Sequence, residues 1–382
     1  MDFAFTEEQR MMRESVRKLM DRVATPEYVR RLDREQAYPE ELYAAWAELG
    51  LLRIPFEEKY GGLGGSIVDL VIVAEEISRK SADFFMAYAG SVFCGLNVAR
   101  KGSEEQKRLW LPKLLSGEVR MSISMSEPEA GSDVGAMRTG ARRDGGDYVI
   151  TGQKLWATGA GAKGNVINVY VRTDPAANIR QGMSLFLVDN TAKGLNLRKL
   201  DMLGRRCTGT YEVFFDGVRV PAERLVGGEN RGWDCILAGL QAERITSAAG
   251  NVGAAQACLD LAVGYAKERR QFGRALIENE AIAFMLADMA TEIEATRALI
   301  WRALWEGRNG GEFKHAEGSM AKLKAGEVAV KVTEQAIQIC GGYGYIRDFP
   351  VEKWHRDAKI YTLFEGTSEI QRLVISRALA AD

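Results

Sequence analysis

The spacing of hydrophobic residues changes twice along the chain. From residue 6 to about 118, apolar positions recur every three or four residues, which predicts helices. From about 120 to 221 they form short alternating runs separated by Gly, Asp and Asn, which predicts strands and turns. Helical spacing then returns. We therefore predict three domains, a helical one over 1–119, a β domain over 120–229 and a helical one over 230–382.

The pattern within these regions predicts a mainly α protein with a central antiparallel β domain. Short strands joined by turn residues are typical of an antiparallel sheet. Long helices with short connections in the last third favour an antiparallel bundle. Small and apolar residues on several helix faces, as over 250–261, suggest that the bundle also buries a contact between subunits.

Composition narrows the class of protein. The 382 residues are 46% hydrophobic, and 51 Lys plus Arg face 52 Asp plus Glu. This balance disfavours nucleic-acid binding and attraction to an anionic membrane. Five cysteines without a C-x-x-C pair fit reduced thiols, and only two histidines disfavour a metal site or a Ser-His-Asp hydrolase.

The N-terminal residues and the longest apolar run together predict a cytoplasmic protein without a membrane span. The N-terminus carries acids at once and lacks the basic and then apolar order of a signal peptide. The uncharged run 84–99 contains two glycines and an asparagine and is shorter than the roughly 20 apolar residues of a span. We expect it to form a buried helix.

One carboxylate, Glu365, lies in a predicted loop between two helical segments near the C-terminus. Gly366 follows it and permits close approach of a backbone or ligand. Ser368 and Gln371 fit a capping box that would open the final helix. Taken alone, Glu365 is better interpreted as an ordinary acid near a helix N-terminus, where it favours the helix dipole.

Four other segments have both a structural and a chemical interpretation. Segment 126–133 is a polar turn or a site for an anion or a ring edge. In 155–159, Trp156 is a core residue or a surface for stacking a cofactor. The arginines in 268–273 end a helix or clamp a pyrophosphate. The segment Gly-Gly-Tyr-Gly at 341–344 follows a helical segment, so a helix C-cap is favoured over a dinucleotide loop.

Together, in this order, the segments resemble the acyl-CoA dehydrogenase family over nearly the whole chain. They read SEPEAGSD at 126–133, KLWATG at 154–159, ERRQFG at 268–273, QICGGYGY at 338–345 and RDAKIYTLFEGTSEIQR at 356–372. The resemblance implies an N-terminal helical domain, a middle β-barrel-like domain and a C-terminal four-helix bundle. It also implies a homotetramer with one FAD per subunit.

The resemblance also implies site residues. Those matching Arg269, Phe272, Gln338 and the following glycines reach the FAD of a neighbouring subunit, and many relatives have Gln in place of Glu369. The implied FAD-binding residues are Met125, Ser126, Gly131, Ser132, Trp156, Thr158, Arg269, Gln271, Phe272, Gln338, Gly341, Gly342, Thr367 and Glu369. The implied substrate-binding residues are Tyr88, Ser132, Arg244, Phe364 and Gly366. No metal is implied.

The implied reaction is the α,β-dehydrogenation of a fatty acyl-CoA thioester. Glu365 matches the family's usual base, which removes the α-proton while the β-hydrogen leaves as hydride to flavin N5. In relatives, the backbone N–H of the base and a ribityl hydroxyl of the flavin bind the thioester carbonyl. Electron-transfer flavoprotein is the implied electron acceptor.

Alternatives remain for the base, the substrate and the reaction. Glu243 precedes Arg244 where some family members place the base, so Glu243 is the alternative base or an acid paired with Arg244. The resemblance implies that 84–99 lines the acyl pocket. No arginine within this segment could pair with a second carboxylate of the substrate, which favours a neutral acyl chain. An acyl-CoA oxidase, an enoyl-CoA reductase and a catalytically silent binding or assembly subunit are the other functions considered.

Overall fold

The computed structural model describes residues 4–308 and 316–380. Within these ranges a helical part, a part containing the main sheet and a second helical part follow one another in the predicted order. The predicted fold class is therefore confirmed.

Six helices around an apolar core form the first part. The first helix begins where the sequence predicts it, because Gln9 N–H donates to Thr6 Oγ1 and Thr6 N–H donates to Gln9 Oε1, each at 3.2 Å. Tyr43, Trp46 and Phe84 are among the fully buried residues of the core. The helices are α1 (Glu7–Val23), α2 (Pro26–Glu35), α3 (Glu40–Leu49), α4 (Ile67–Ser78), α5 (Ala82–Lys101) and α6 (Glu104–Leu115).

Helix α5 contains the long uncharged run and is a core helix, as predicted. By length and composition alone it could cross a membrane, but 78% of its most apolar window is buried inside the protein. Phe84, Phe85 and Val92 are fully buried on it. Its apolar surface is therefore already covered by other parts of the same chain.

Eight strands form the central sheet in the order β6–β7–β3–β2–β4–β5–β8, with β1 beside β4. The strands are β1 (Arg120–Ser124), β2 (Gly140–Asp144), β3 (Asp147–Thr158), β4 (Asn165–Arg172), β5 (Met183–Asp189), β6 (Leu195–Leu200), β7 (Thr210–Pro221) and β8 (Leu225–Val226). A short helix, α7 (Ile179–Gly182), lies between β4 and β5.

The sheet is mixed and not purely antiparallel. Most neighbouring strands are antiparallel, but β1 runs parallel to β4, and β2 meets β4 in parallel at one residue pair. Two other strands separate β1 from β4 in the sequence, so no tight hairpin imposes an antiparallel direction on them. Alternation of apolar and polar residues identifies strands but does not specify their relative direction.

The last part of the chain is the helical bundle. Helices α9, α10 and α11 pack against one another, and α13 packs on α11. The elements are α8 (Gly232–Leu237), α9 (Leu240–Glu268), α10 (Glu280–Arg308), α11 (Glu317–Cys340), α12 (Val351–Ala358) and α13 (Ser368–Leu379), with the two-stranded ribbon β9 (Arg270–Gln271) and β10 (Arg274–Ala275).

Helix α9 also packs closely against α4 of the first part. A Cβ atom at Gly253 would lie 2.1 Å from Glu75 O, so this approach of two helix backbones requires a glycine.

A buried ionic network joins the three parts of the chain. Lys353 Nζ on α12 lies 2.5 Å from Asp357 Oδ2, 3.9 Å from Asp83 Oδ2 on α5 and 3.7 Å from Asp33 Oδ1 on α2. Asp83 also accepts backbone N–H groups of the β6–β7 loop at 2.7 and 3.0 Å. Burial alone would lower the pKa of Lys353, but the nearby carboxylates outweigh it and raise this pKa. Lys353 is therefore held as a cation.

We expect Lys353→Met to lower the free energy of unfolding by about 3–5 kcal/mol, because the change leaves buried carboxylates without a compensating charge. Denaturation in urea measures the difference. Lys331→Met on α11 is the control, since this lysine is half exposed and its ion pair is worth less than about 1 kcal/mol. Equal stability of the two variants would contradict a structural role for the network.

Candidate active site

Glu365 lies in the loop between α12 and α13 in an unusual backbone conformation. Its φ is +53° and that of Gly366 is +83°, so two consecutive residues are left-handed. For glutamate this conformation is unfavourable unless surrounding contacts impose it. Ser247 Oγ on α9 donates to Glu365 Oε2 at 2.8 Å and fixes the half-buried carboxylate.

The final helix has a different cap from the predicted one. Thr367, and not Ser368, is the N-cap, and its side chain accepts the N–H of Ile370 at 3.2 Å. The Gln371 amide does not complete a capping box. It donates to the carbonyls of Glu365 and Gly366, at 3.0 and 2.9 Å. Two adjacent hydroxyl residues look equivalent in the sequence, and only the turn before them places Thr367 in the extended conformation that an N-cap needs.

A buried lysine holds the same loop from the opposite side. Lys322 on α11 is 1% exposed, and its Nζ donates to Phe364 O at 2.8 Å and to Gly366 O at 2.6 Å. Burial lowers the pKa of Lys322 to about 8, although the charge of Glu365 opposes this shift. The sequence analysis missed Lys322. The available signal was a charged residue among the small residues of a buried helix face.

A second carboxylate, Glu243 near the start of α9, is close enough to Glu365 to interact with it. Burial, and secondly the charge of Glu365, raise the pKa of Glu243 to about 7. The ion pair considered between Glu243 and Arg244 does not occur among the described residues. Arg244 instead donates to Ser319 Oγ at 3.0 Å, because consecutive helix residues point about 100° apart.

The residues predicted to bind the substrate do not all lie beside Glu365. Arg244 is largely buried, and its Nε has no hydrogen-bond partner within the described ranges. The Phe364 ring lies 5.5 Å from that of Tyr361. Tyr88 is in the core of the first part, where its hydroxyl donates to Leu51 O at 3.0 Å, so its contact with substrate stays a prediction.

Trp156 and Thr158 lie at the end of β3, where the strand is irregular. The pairing of β3 with β7 shifts between Lys154 and Ala157. Trp156 lies in this bulge with a φ of +65° and is 53% exposed. Thr158 Oγ1 is 3.1 Å from Thr210 Oγ1. A bulge re-aims side chains, and this one presents a large indole to the surface.

The segment after β1 is anchored by a buried ion pair that the sequence analysis did not identify. Lys154 Nζ donates to Met125 O and to Glu127 Oε1, both at 2.8 Å. Burial lowers the pKa of Lys154 to about 8 despite the nearby charge of Glu127. Ser126 O accepts the N–H of Leu155 at 2.9 Å, which places the segment beside the Trp156 bulge.

Two residues of the same segment, Gly131 and Ser132, are predicted to contact the cofactor and are exposed. A Cβ atom at Gly131 would meet no atom within 4 Å.

The remaining cofactor residues form a separate group at the far end of the bundle. Arg269, Gln271, Gly341 and Gly342 line an open cavity of about 470 Å³. Gly341, with a φ of +59°, is the C-cap of α11, as predicted. Phe272, at a φ of +52°, is 100% exposed.

The two groups of cofactor residues are far apart within one chain. Lys322, beside the Glu365 loop, and Cys340, beside this cavity, are 18 residues apart on α11, or roughly 27 Å at 1.5 Å per residue. Gln338 is exposed near the cavity end, whereas Thr367 and exposed Glu369 lie at the Glu365 end. One subunit therefore does not bring all of the predicted cofactor residues together.

These features fit a flat, extended cofactor. An exposed indole in a strained conformation offers a stacking surface, and the hydroxyl of Thr158 follows it two residues later in β3. The open backbone at Gly131 accepts close approach. Two interacting carboxylates lie in the neighbouring bundle. The fold and site together fit a protein that binds such a cofactor beside a pair of interacting carboxylates.

Comparison with known proteins gives the family. Models of the N-terminal, middle and C-terminal domains of acyl-CoA dehydrogenases match residues 6–118, 122–218 and 230–380. A probable acyl-CoA dehydrogenase of Bacillus subtilis, YngJ, is 39% identical over 99% of this chain and 100% of its own length. Butyryl-CoA dehydrogenase of Megasphaera elsdenii superposes with a TM-score of 0.94 at 33% identity, over 100% of both chains.

A further similar chain comes from a structural study of the electron transferring flavoprotein of Acidaminococcus fermentans. It has a TM-score of 0.95 and 34% identity, over 100% of both chains. The protein therefore belongs to the acyl-CoA dehydrogenase family. It is an FAD-dependent oxidoreductase of the acyl-CoA dehydrogenase type.

The charge of Glu365 should influence the titration of the Glu243 carboxyl. We expect the protonated carboxyl of Glu243 to lose its proton near the pKa of about 7. This pKa exceeds the ordinary value, so Glu243 favours the folded state at low pH, and this contribution is lost as the pH rises from about 4.5 to 7. In the Glu365→Gln variant the pKa of Glu243 should fall, because the like charge of Glu365 has been removed.

Infrared titration of the carboxyl band that disappears in Glu243→Gln measures this pKa. The exposed Glu280→Gln serves as the control and should leave the band unchanged. An identical titration midpoint in the parent protein and in Glu365→Gln would show that the two carboxylates do not interact.

Proposed function

We propose that this protein converts a neutral acyl-CoA thioester into the trans-2-enoyl-CoA, with Glu365 as the α-proton base. The observation that carries the proposal is the fixed carboxylate. Ser247 holds its Oε2 at 2.8 Å, and α11 and α13 hold the adjoining backbone carbonyls. A base held in one position can meet the α-carbon of a bound thioester repeatedly in the same geometry.

Proton removal from a thioester also requires stabilisation of the negative charge that develops on its carbonyl oxygen. The Glu365 backbone N–H has no hydrogen-bond partner within the described ranges. It is therefore available to donate to that oxygen. Buried Arg244 adds positive charge to the same region and interacts with both Glu243 and Glu365.

FAD, when bound, supplies the acceptor for the β-hydride. The residues proposed to hold it on one subunit are Met125, Ser126, Gly131, Ser132, Trp156, Thr158, Thr367 and Glu369. Those proposed to hold the FAD of a neighbouring subunit are Arg269, Gln271, Phe272, Gln338, Gly341 and Gly342. The large separation of the two groups within one chain and the full exposure of Phe272 support a homotetramer.

Glu243 is the alternative base, since a carboxyl with a pKa of about 7 suits proton transfer at neutral pH. Glu365 is favoured because its backbone N–H is free and its carboxylate is fixed. Glu243 has no hydrogen bond of this kind among the described residues.

The absence of an arginine within the uncharged run 84–99 on α5 supports a neutral acyl substrate in fatty-acid metabolism. The likeness to a chain studied with electron transferring flavoprotein supports such a flavoprotein as the electron acceptor.

The first test is anaerobic bleaching of the purified yellow protein by a panel of acyl-CoA thioesters. Glu365→Gln should slow bleaching by at least about 10³-fold, because no base remains to take the α-proton. Glu243→Gln should slow it by less than about tenfold. The reverse order would make Glu243 the base.

The same panel separates the other functions. Peroxide formation in air would indicate an oxidase, and faster turnover of an enoyl-CoA with a reduced electron donor would indicate a reductase. A colourless protein that no acyl-CoA affects would indicate a silent subunit and overturn the proposal.

The second test concerns the shared cofactor site. Arg269→Ala should lose FAD affinity, because its cation is no longer available to the phosphates of a neighbouring subunit's cofactor. A mixed assembly of Arg269→Ala and Glu365→Gln subunits should regain activity. In such a pair, one of the two shared sites contains both Arg269 and Glu365 intact. Mixtures that stay as inactive as the separate variants would contradict a site shared between subunits. Arg274→Ala, on the adjacent exposed strand, is the matched control.

A further inference from the structure

The peptide that joins Phe364 to Glu365 is held at its carbonyl by a buried cation. Lys322 Nζ donates to Phe364 O at 2.8 Å. The C=O and N–H of a trans peptide are rigidly coupled in one plane and point in opposite directions. Fixing the carbonyl toward Lys322 on α11 therefore directs the Glu365 N–H away from that lysine.

Among the described residues, the Glu365 N–H lacks an acceptor, as do the N–H groups of Gly366 and Thr367 that follow it. The N–H groups of Leu363 and Phe364 both donate to Ile360 O, at 2.9 and 3.0 Å, but Glu365 N–H has no partner within residues 4–308 and 316–380. Buried backbone donors are almost always paired, with protein or with water. A free donor here, next to the carboxylate, is suited to a ligand acceptor.

We propose that Lys322 is a positioning residue that orients and polarises the Phe364–Glu365 peptide, making the Glu365 N–H a stronger donor to the thioester carbonyl. This inference rests on the proposed function, since it requires a thioester beside Glu365. Lys322 does not touch the substrate. Its positive charge draws electron density toward Phe364 O, and hydrogen bonds linked through one peptide strengthen one another.

The surroundings of Lys322 preserve this effect. The side chain is 1% exposed, so water does not screen its charge. Glu365 and Glu369 attract the ammonium group electrostatically, whereas Arg244 and Arg205 repel it. Its hydrogen bonds go to backbone carbonyls of the loop, at Phe364 and Gly366. The charge is thus directed at the peptide itself.

Gln371 provides an internal comparison. Its neutral amide also holds the loop, but it donates to Glu365 O and Gly366 O and leaves Phe364 O to Lys322. If the contacts to this loop were only structural, losing either side chain would have the same consequence. The proposal instead assigns the electronic effect to Lys322 alone.

The experiment uses the FAD-loaded protein and 2,2-dimethylbutyryl-CoA labelled with ¹³C at the thioester carbonyl, which has no α-proton to lose. Isotope-edited infrared spectroscopy measures how far binding lowers the carbonyl stretching frequency. Lys322→Met should reduce this shift clearly, Lys322→Gln should reduce it in part, and Gln371→Leu should leave it near that of the parent. Lys324→Met, an ion-paired lysine on the same helix, is the matched control and should equal the parent.

Flavin reduction by the best acyl-CoA of the panel gives a second readout. Lys322→Met should slow it by roughly 10–100-fold while the dissociation constant of the labelled analogue changes by less than about threefold, as for a group that acts mainly in the transition state. An unchanged frequency shift in Lys322→Met, or equal effects in Lys322→Met and Gln371→Leu, would overturn the proposal.

If Lys322→Met does not retain FAD, Lys322→Gln is judged by the same two criteria. Failure of the proposed function would give a different result: no acyl-CoA of the panel would reduce the flavin of the parent protein.

Discussion

The placement of the Glu365 loop depends on the buried ammonium group of Lys353, on the helix directly before it. Asp357 of the same helix, Asp83 of α5 and Asp33 of α2 surround this cation. A buried charge needs compensating charges at short range, so these carboxylates fix where α12 lies against the first part of the chain. Asp83 binds the β6–β7 loop as well. One network therefore aligns all three parts of the protein immediately before the residue proposed as the base.

The β6–β7 loop completes this connection. Arg205 N–H donates to Asp357 Oδ1 at 2.6 Å, and its guanidinium lies 4.2 Å from the centre of the Tyr361 ring and 4.7 Å from that of Phe364. The Nε and Nη2 atoms of Arg205 are buried without hydrogen-bond partners in the described part of the chain. Cation–π contact with the two aromatic rings is therefore the main interaction that stabilises this buried charge. The Glu365 loop is consequently supported by side chains from the sheet domain as well as from the bundle.

Burial shifts the pKa values of an acid and a base around this loop toward neutral pH. It raises the pKa of Glu243 to about 7 and lowers the pKa of Lys322 to about 8. Groups with such shifted pKa values are common where protons are transferred, although structural ion pairs produce shifts as well. Here the shifted groups lie next to a carboxylate with a fixed rotamer and a free backbone donor. That combination connects the electrostatics to chemistry at Glu365.

The sequence by itself determined the order of helical and β parts, the buried character of α5, the glycine cap of α11 and the family. These follow from local periodicity, from turn residues and from five motifs in a fixed order. Tertiary structure decided the parallel pairing of β1 with β4, the Thr367 cap, and the roles of Lys322, Gln371 and Lys154. The reason is physical: the β1–β4 pairing and the contacts of Lys322 and Lys154 depend on partners distant in the sequence, such as Phe364, 42 positions after Lys322. The Thr367 cap and the Gln371 hydrogen bonds are local, but they depend on the left-handed turn at Glu365 and Gly366. Periodicity reports which face a residue occupies, but not which carbonyl its side chain will reach.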